Sequence, residues 1–188
     1  TSLGLGTAHG PSPGVGRAAE NRYHSDGFFD PSTRAPLLPT PSRRTSSLRS
    51  SSITIGAPID DVWNAITDPE LIKQWFFGVD TESEWKPGGH LIHRGEWQGK
   101  PYVDKGETLR IEPPTLLVHT HWSDVSGLPD APENYQEVTW ALSERDGSTE
   151  LTITERNLPS EEAKAVSEAS WKTALTSLKA VLEGSGSP

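Results

Sequence analysis

The sequence contains no cysteine and no methionine. Disulfides, thiolate nucleophiles and cysteine-ligated zinc are therefore excluded, while a cysteine-free chain is compatible with any redox compartment. Long apolar runs are missing as well, so no transmembrane helix is expected. From residue 51 onward, catalytic signatures that a sequence can carry alone are absent: there is no G-x-S-x-G, no glycine-rich phosphate loop ahead of a helix and no H-E-x-x-H. The one G-x-S-x-G match, Gly10 to Gly14, lies in a Pro- and Gly-rich stretch with no strand or helix pattern around it. Basic charge is scarce. Seventeen Lys and Arg face twenty-six Asp and Glu, and from residue 51 onward the balance is eleven against twenty-three. A folded part this acidic repels phosphate backbones, which argues against nucleic-acid binding.

What is present divides into two unequal parts. Residues 1–50 hold eight Ser, six Pro, six Gly and six Arg against three acids, with no sustained apolar periodicity. Such a segment cannot bury enough surface to offset its ordering entropy. A disordered arm over residues 1–51 is expected, followed by one folded domain over 52–183 and a flexible tail over 184–188. The stretch "PSTRAPLLPTPSRRTSSLRSSS" is rich in Arg and Ser and free of acids, somewhat like a transit peptide, but a solvated tail is the commoner reading. Its "RRTSS" fits the pattern of a basophilic kinase site. No signal-peptide core is expected ahead of the domain, and a cytoplasmic location follows as the expectation. Starting at Thr, the chain is expected to have lost its initiator or to have been trimmed.

The ordered part opens with "SSITIGAP", where Ile53 and Ile55 alternate as in a strand before Pro58 begins a helix. In "PIDDVWNAIT", Asp60 and Asp61 suit the positive end of the helix dipole, and Val62, Trp63 and Ile66 form one apolar stripe. Asp68-Pro69 breaks the chain and caps a second short helix carrying Leu71, Ile72, Trp75 and Phe76. From Asp80 to Glu155 the pattern is that of six strands punctuated by turn signals, of which Asp146-Gly147 is the clearest hairpin. Pro159 and Ser160 then open a long helix stopped by Gly184, with Val166, Trp171, Ala174, Leu175, Leu178 and Leu182 as its buried stripe. Seven mostly antiparallel strands and one long helix to cover one face predict an α+β architecture.

Five pieces taken in order, "APIDDVWNAITDPELIKQWF", "KPGGHLIHRG", "GETLRIEPPTLLVHT", "VTWALSERDGSTELTIT" and a terminal Trp followed by "ALTSLKAVLE", resemble the family of homologues of the activator of heat-shock protein 90 ATPase. That family belongs to the START-like (SRPBCC), birch-pollen-allergen-like superfamily, and the similarity spans about residues 52 to 183. The resemblance implies a helix-grip fold, with a curved sheet wrapped around the C-terminal helix and a cavity between them for an apolar or aromatic ligand. Members include co-chaperone domains, cyclase or dehydratase enzymes, ligand carriers and resistance proteins, so fold does not by itself settle activity. In the eukaryotic activator the domain follows another folded domain, and residues 1–50 show nothing like one.

The sharpest local feature is "LLVHTHWSD", Leu116 to Asp124, which places two histidines on one face of a strand. Hydrophobicity alone would bury Leu116, Val118, Thr120 and Trp122 and expose the histidines. The resemblance implies the opposite register, with Leu117, His119 and His121 facing the helix, and a one-residue slip decides between the two. The same register turns Leu91 and His93 inward and leaves His90 and Arg94 outside. Zinc is not expected at the three histidines. The strand "GETLRIE" should separate His93 from the other two by about 10 Å, whereas tetrahedral zinc needs ligands at about 2.0–2.1 Å.

The expected site is therefore a cavity lined by Trp75, Trp140, Trp171 and Leu175 for apolar contact and by His93, His119 and His121 for polar orientation. Of the other tryptophans, Trp97 in "GEWQGKP" would sit at a hairpin near the mouth. The partner is a small hydrophobic or aromatic molecule, with no cofactor. Two other readings stay open: a cyclase or dehydratase using His119 or His121 as general acid/base, and a co-chaperone that activates a heat-shock ATPase.

Overall fold

The computed structural model describes residues 47–184, so most of the expected arm and the tail over 185–188 lie outside the described residues. The elements run β1 (Ser47–Ile55), α1 (Ile59–Thr67), α2 (Pro69–Trp75), β2 (Asp80–Ser83), β3 (His90–Trp97), β4 (Lys100–Glu112), β5 (Leu116–Ser123), β6 (Gln136–Arg145), β7 (Ser148–Leu158) and α3 (Glu161–Gly184). The strands form one antiparallel sheet in the order β1-β7-β6-β5-β4-β3-β2. The sheet curves around α3 in the helix-grip arrangement. Among the described residues, no helix is long and apolar enough to cross a membrane.

Local chemistry explains the helices. Asp68 ends α1, where its N–H donates to the Asn64 carbonyl at 2.8 Å, and starts α2, where its carboxylate accepts from the Glu70 N–H at 2.8 Å. One residue thus caps both helices, and Pro69 suits the first turn because its missing N–H would have no partner there. The Trp75 indole N–H donates to the Ala65 carbonyl at 2.8 Å and ties α2 to α1. Both positions of the Asp146-Gly147 turn have positive φ, 52° and 75°, and Gln98-Gly99 repeats the pattern at 52° and 75°. Two-residue turns of this kind match the strand twist and fix the register of their hairpins.

The core lies between the sheet and the C-terminal half of α3, where Ala174, Leu175 and Leu178 pack with Ile55, Val62, Leu151 and Ile153. The last turn of α3 is fastened to the end of β1. Lys179 Nζ donates to the Thr54 carbonyl at 2.8 Å and the Gly56 N–H donates to Glu183 Oε1 at 2.7 Å.

Three expectations need correction. The first strand begins at Ser47, five residues ahead of the expected domain start at 52, because Ser47–Ser51 continue the pairing with β7 as far as Leu158. Val166 is 67% exposed instead of buried, since the N-terminal half of α3 stands away from the sheet. The choice between the faces of β5 is not exclusive either. Leu117 and His119 are buried on the inner face, while Trp122 is buried on the outer one beneath its own loop. There its indole N–H donates to the Leu128 carbonyl at 3.2 Å, its ring stacks on Tyr135, and Lys105 Nζ lies 5.4 Å from the ring centre.

The early start of β1 carries energetic weight through Arg49. Its guanidinium donates to Glu155 Oε2 at 3.0 Å and to the Ser51 hydroxyl at 2.7 Å, and both members of the ion pair are about 95% buried. A buried pair is costly to break from one side, because the charge left behind has lost its water and its partner. Arg49→Met is expected to lower stability in urea unfolding by about 3–5 kcal/mol, with much of the loss recovered in Arg49→Met combined with Glu155→Leu. A single-variant loss under about 1 kcal/mol would refute the dependence of Glu155 on Arg49.

Candidate functional site

Between the inner face of the sheet, α2 and the N-terminal half of α3 lies an open cavity of about 810 Å³. That volume suits a drug-sized or polycyclic ligand. It exists because α3 presents Ala163, Ser167 and Ser170 to the sheet along this half, and such short side chains leave the gap unfilled. Trp171 closes its inner end.

The apolar wall is aromatic. Trp140 on β6 meets Trp171 on α3 edge-on, with centres 5.1 Å apart, and Phe76 at the end of α2 stacks on Trp171 at 5.8 Å and 16°. Trp75 meets Trp140 edge-on at 6.2 Å. These offset and T-shaped contacts suit the ring quadrupoles and hold the wall rigid. Leu175 does not reach the cavity. It is buried one turn beyond Trp171 in the core, as the helical spacing from Trp171 to Leu175 carries it past the closed end. Around the mouth stand Phe77, Trp97, Val125 and Val166, each more than half exposed. Trp97 thus sits at the β3–β4 hairpin beside the mouth.

The polar end gathers His93, Asp104, His119, His121, Gln136 and Glu155. Register explains the grouping. Asp104 on β4 is paired with His93 on β3 and with Ser123 on β5, two residues along from His121 on the same face. Asp104 and Glu155 were not anticipated from the sequence. Counting back from the two-residue Gln98-Gly99 turn pairs Trp97 with Lys100 and hence His93 with Asp104, so the signal for Asp104 was there.

His119 lines the cavity with both of its ring nitrogens engaged. The Trp140 indole N–H donates to its Nε2 at 3.0 Å, and its Nδ1 lies 2.9 Å from the Thr120 carbonyl. An indole can only donate and a carbonyl can only accept, so the proton is on Nδ1 and neither nitrogen is left for a substrate. Burial drives its pKa down to about 3, against the opposing hydrogen bond to Thr120. The Thr120 carbonyl is available because β4 and β5 part locally: Glu107 N–H donates to the Thr120 hydroxyl at 2.9 Å instead. Gly106 makes the room. A Cβ there would stand 1.9 Å from the Thr120 oxygen.

His93 has its Nδ1 2.8 Å from the Thr81 hydroxyl, and burial pushes it down to about 4 although Asp104 pulls the other way. His121 behaves differently. Burial acts to lower it, yet the hydrogen bond and charge of Asp104, joined by the Glu155 charge and a Gln136 hydrogen bond, hold it above the ordinary value. Its Nε2 lies 3.5 Å from Asp104 Oδ2. Asp104 is correspondingly held below the usual carboxylate value: burial pushes up, but His121, Ser123 and His93 outweigh it. Glu155, besides Arg49, accepts from the Ser167 hydroxyl of α3. Among the described residues no group of three or more His, Asp or Glu is arranged to hold a metal ion.

The described chain resembles known proteins over most of its ordered length. Residues 56–183 match the family described as Activator of Hsp90 ATPase homolog 1-like protein. The solution structure of ChR145 from Cytophaga hutchinsonii is 38% identical with a TM-score of 0.64, over 74% of this chain and 95% of that one. The crystal structure of CalU16 from Micromonospora echinospora is 29% identical with a TM-score of 0.59, over 76% and 78%. DynU16, a protein of the dynemicin biosynthetic locus, is 24% identical with a TM-score of 0.59, over 72% of this chain and 47% of that one, a likeness of fold alone. Among curated proteins none matches the chain.

Two outcomes test this electrostatic arrangement. Both depressed imidazoles, His93 and His119, take up protons more readily in the unfolded chain, so acidification from about pH 6.5 toward their folded values of about 4 and 3 favours unfolding. Nitrogen NMR should show His119 as the neutral Nδ1–H form throughout the range in which His121 titrates, and an ordinary His119 titration would contradict the geometry. Gly106→Ala is expected to cost about 1–3 kcal/mol in urea unfolding by forcing β4 and β5 apart.

Proposed function

The chain belongs to the family of Activator of Hsp90 ATPase homolog 1-like proteins, and from that premise we propose that it binds a small hydrophobic or aromatic molecule in the cavity between its sheet and its C-terminal helix. The observation that carries the reading is the aromatic wall. Trp75, Trp140, Trp171 and Phe76 line an open space that the short side chains of α3 leave empty. A protein selected for stability alone would fill such a space, since lost packing contacts cost energy. The apolar rim of Phe77, Trp97, Val125 and Val166 supports entry of an apolar molecule at that end.

A second reading, a cyclase- or dehydratase-type enzyme in the same cavity, is favoured by one observation. Asp104 and His121 face each other across 3.5 Å on the cavity wall, and general acid/base chemistry uses groups of this kind. With both nitrogens of His119 engaged, His121 and Asp104 are the groups on which such chemistry would rest. Activation of a heat-shock ATPase is a third reading, supported by the family description alone.

Titration of pyrene into the protein, followed by energy transfer from tryptophan, tests the first reading. Saturable binding at micromolar concentration is expected, and Ala163→Trp, which plugs the cavity from α3, should weaken it at least about tenfold, a change of roughly 1.4 kcal/mol. Pyrene that binds Ala163→Trp as tightly as it binds the unaltered chain would remove the cavity from consideration.

A further inference from the structure

The polar end of the cavity holds one side-chain oxygen that is buried without a hydrogen-bond partner among the described residues, Oδ1 of Asp104. His119 is engaged at both nitrogens, His93 contacts the Thr81 hydroxyl, and Glu155 accepts from Arg49 and Ser167. Asp104 is 8% exposed and lines the cavity, and its Oδ2 faces His121. Its other oxygen, Oδ1, is buried with no hydrogen-bond partner among the described residues. A carboxylate this short of donors is costly to bury, and since Oδ1 is closed off, the oxygen that a molecule in the cavity can meet is Oδ2, which His121 approaches only to 3.5 Å.

The charges around it restrict what that partner can be. Glu155 is paired with Arg49 and Asp104 faces His121 at 3.5 Å, so each carboxylate at the polar end already has a basic side chain beside it. A ligand carboxylate would bring like charge against Asp104, and a ligand cation would compete for Asp104 with the basic His121 side chain already beside it. A neutral donor meets neither penalty. Position adds a further restriction. Phe76, whose ring stacks on Trp171, also meets His93 edge-on at 5.6 Å, and His93 is the cross-strand partner of Asp104. The aromatic wall therefore borders the strand pair that carries the carboxylate, and both line the same cavity.

Resting on the cavity reading above, we propose that this site selects aromatic ligands that carry a neutral hydroxyl group, the hydroxyl donating its hydrogen bond to the Asp104 carboxylate while the rings lie against Phe76, Trp140 and Trp171. His121 is then a positioning residue. It holds Asp104 ionised and oriented, and does not itself touch the hydroxyl.

The experiment compares pyrene, 1-hydroxypyrene, 1-methoxypyrene and 1-pyrenecarboxylate at neutral pH on the full chain, with affinities taken from tryptophan energy transfer. The hydroxyl compound is expected to bind about tenfold or more tightly than the methoxy compound, as befits a hydrogen bond to a charged acceptor, and the carboxylate most weakly. In Asp104→Asn the ratio of hydroxypyrene to pyrene affinity should fall to within about threefold of unity. Carbon NMR of the unaltered protein supplies a readout that does not depend on a folded variant: the Asp104 carboxyl resonance should move with hydroxypyrene and stay with methoxypyrene. Equal affinity for the hydroxyl and methoxy compounds, or a hydroxyl preference that survives Asp104→Asn, overturns the assignment while leaving the cavity reading intact. Failure of all four compounds to bind overturns the cavity reading first.

Discussion

One helix has to cover the inner face of seven strands, and its sequence can do so along only half its length. In the C-terminal half of α3, Ala174, Leu175 and Leu178 reach the sheet and complete the core. In the N-terminal half, "EEAKAVSEAS", there is no large apolar side chain except Val166, and that one stands exposed at the cavity mouth without reaching the sheet. The boundary is Trp171, whose ring is held between Phe76 and Trp140. Cavity, mouth and aromatic wall all follow from that change of composition along a single helix, which converts what would have been core into a pocket.

The space so created has to be lined, and β-strands line it with whatever their alternation turns inward. Along β5 and its neighbours the inward positions include His119, His121, His93 and Asp104, and burying such groups is costly unless each finds a partner. The partners come from three different devices. For His119 they are an indole N–H and a carbonyl freed by the local parting of β4 and β5. For His121 the partner is a carboxylate on the next strand. For Glu155 it is a guanidinium from the far edge of the chain's first strand and a hydroxyl from α3. Two neighbouring histidines of one strand, two positions apart, therefore end with proton affinities shifted in opposite directions.

The readable parts of this structure were those written locally. Asp68-Pro69, Asp146-Gly147 and the alternation of Ile53 with Ile55 act within a few residues, and the helices and turns stand where those signals put them. The inward placement of His93 and His119 was legible only through resemblance, because hydrophobicity favours Trp122 for the same inner position. What hydrophobicity could not foresee is that the loop after β5 returns to cover Trp122, so that both faces of the strand find shelter. Other features depend on partners far apart in sequence. Arg49 and Glu155 meet across 106 positions, and nothing near either residue announces the other. Asp104 was recoverable by counting from the Gln98-Gly99 turn, while the fate of Leu175 depended on where along α3 the cavity closes.

The pairing of β1 with β7 has a consequence for where this domain can be said to begin. The family match starts at residue 56, one residue after β1 ends, so the region recognised by similarity omits an entire edge strand. That strand supplies Ile53 and Ile55 to the core, a carbonyl to the last turn of α3 and the only cation in contact with Glu155 among the described residues. The cooperative unit is thus longer than the recognisable one. A fragment cut at the edge of the match would expose β7 as a new sheet edge, a surface on which other strands could add, and would leave a carboxylate in the cavity wall without its counter-charge.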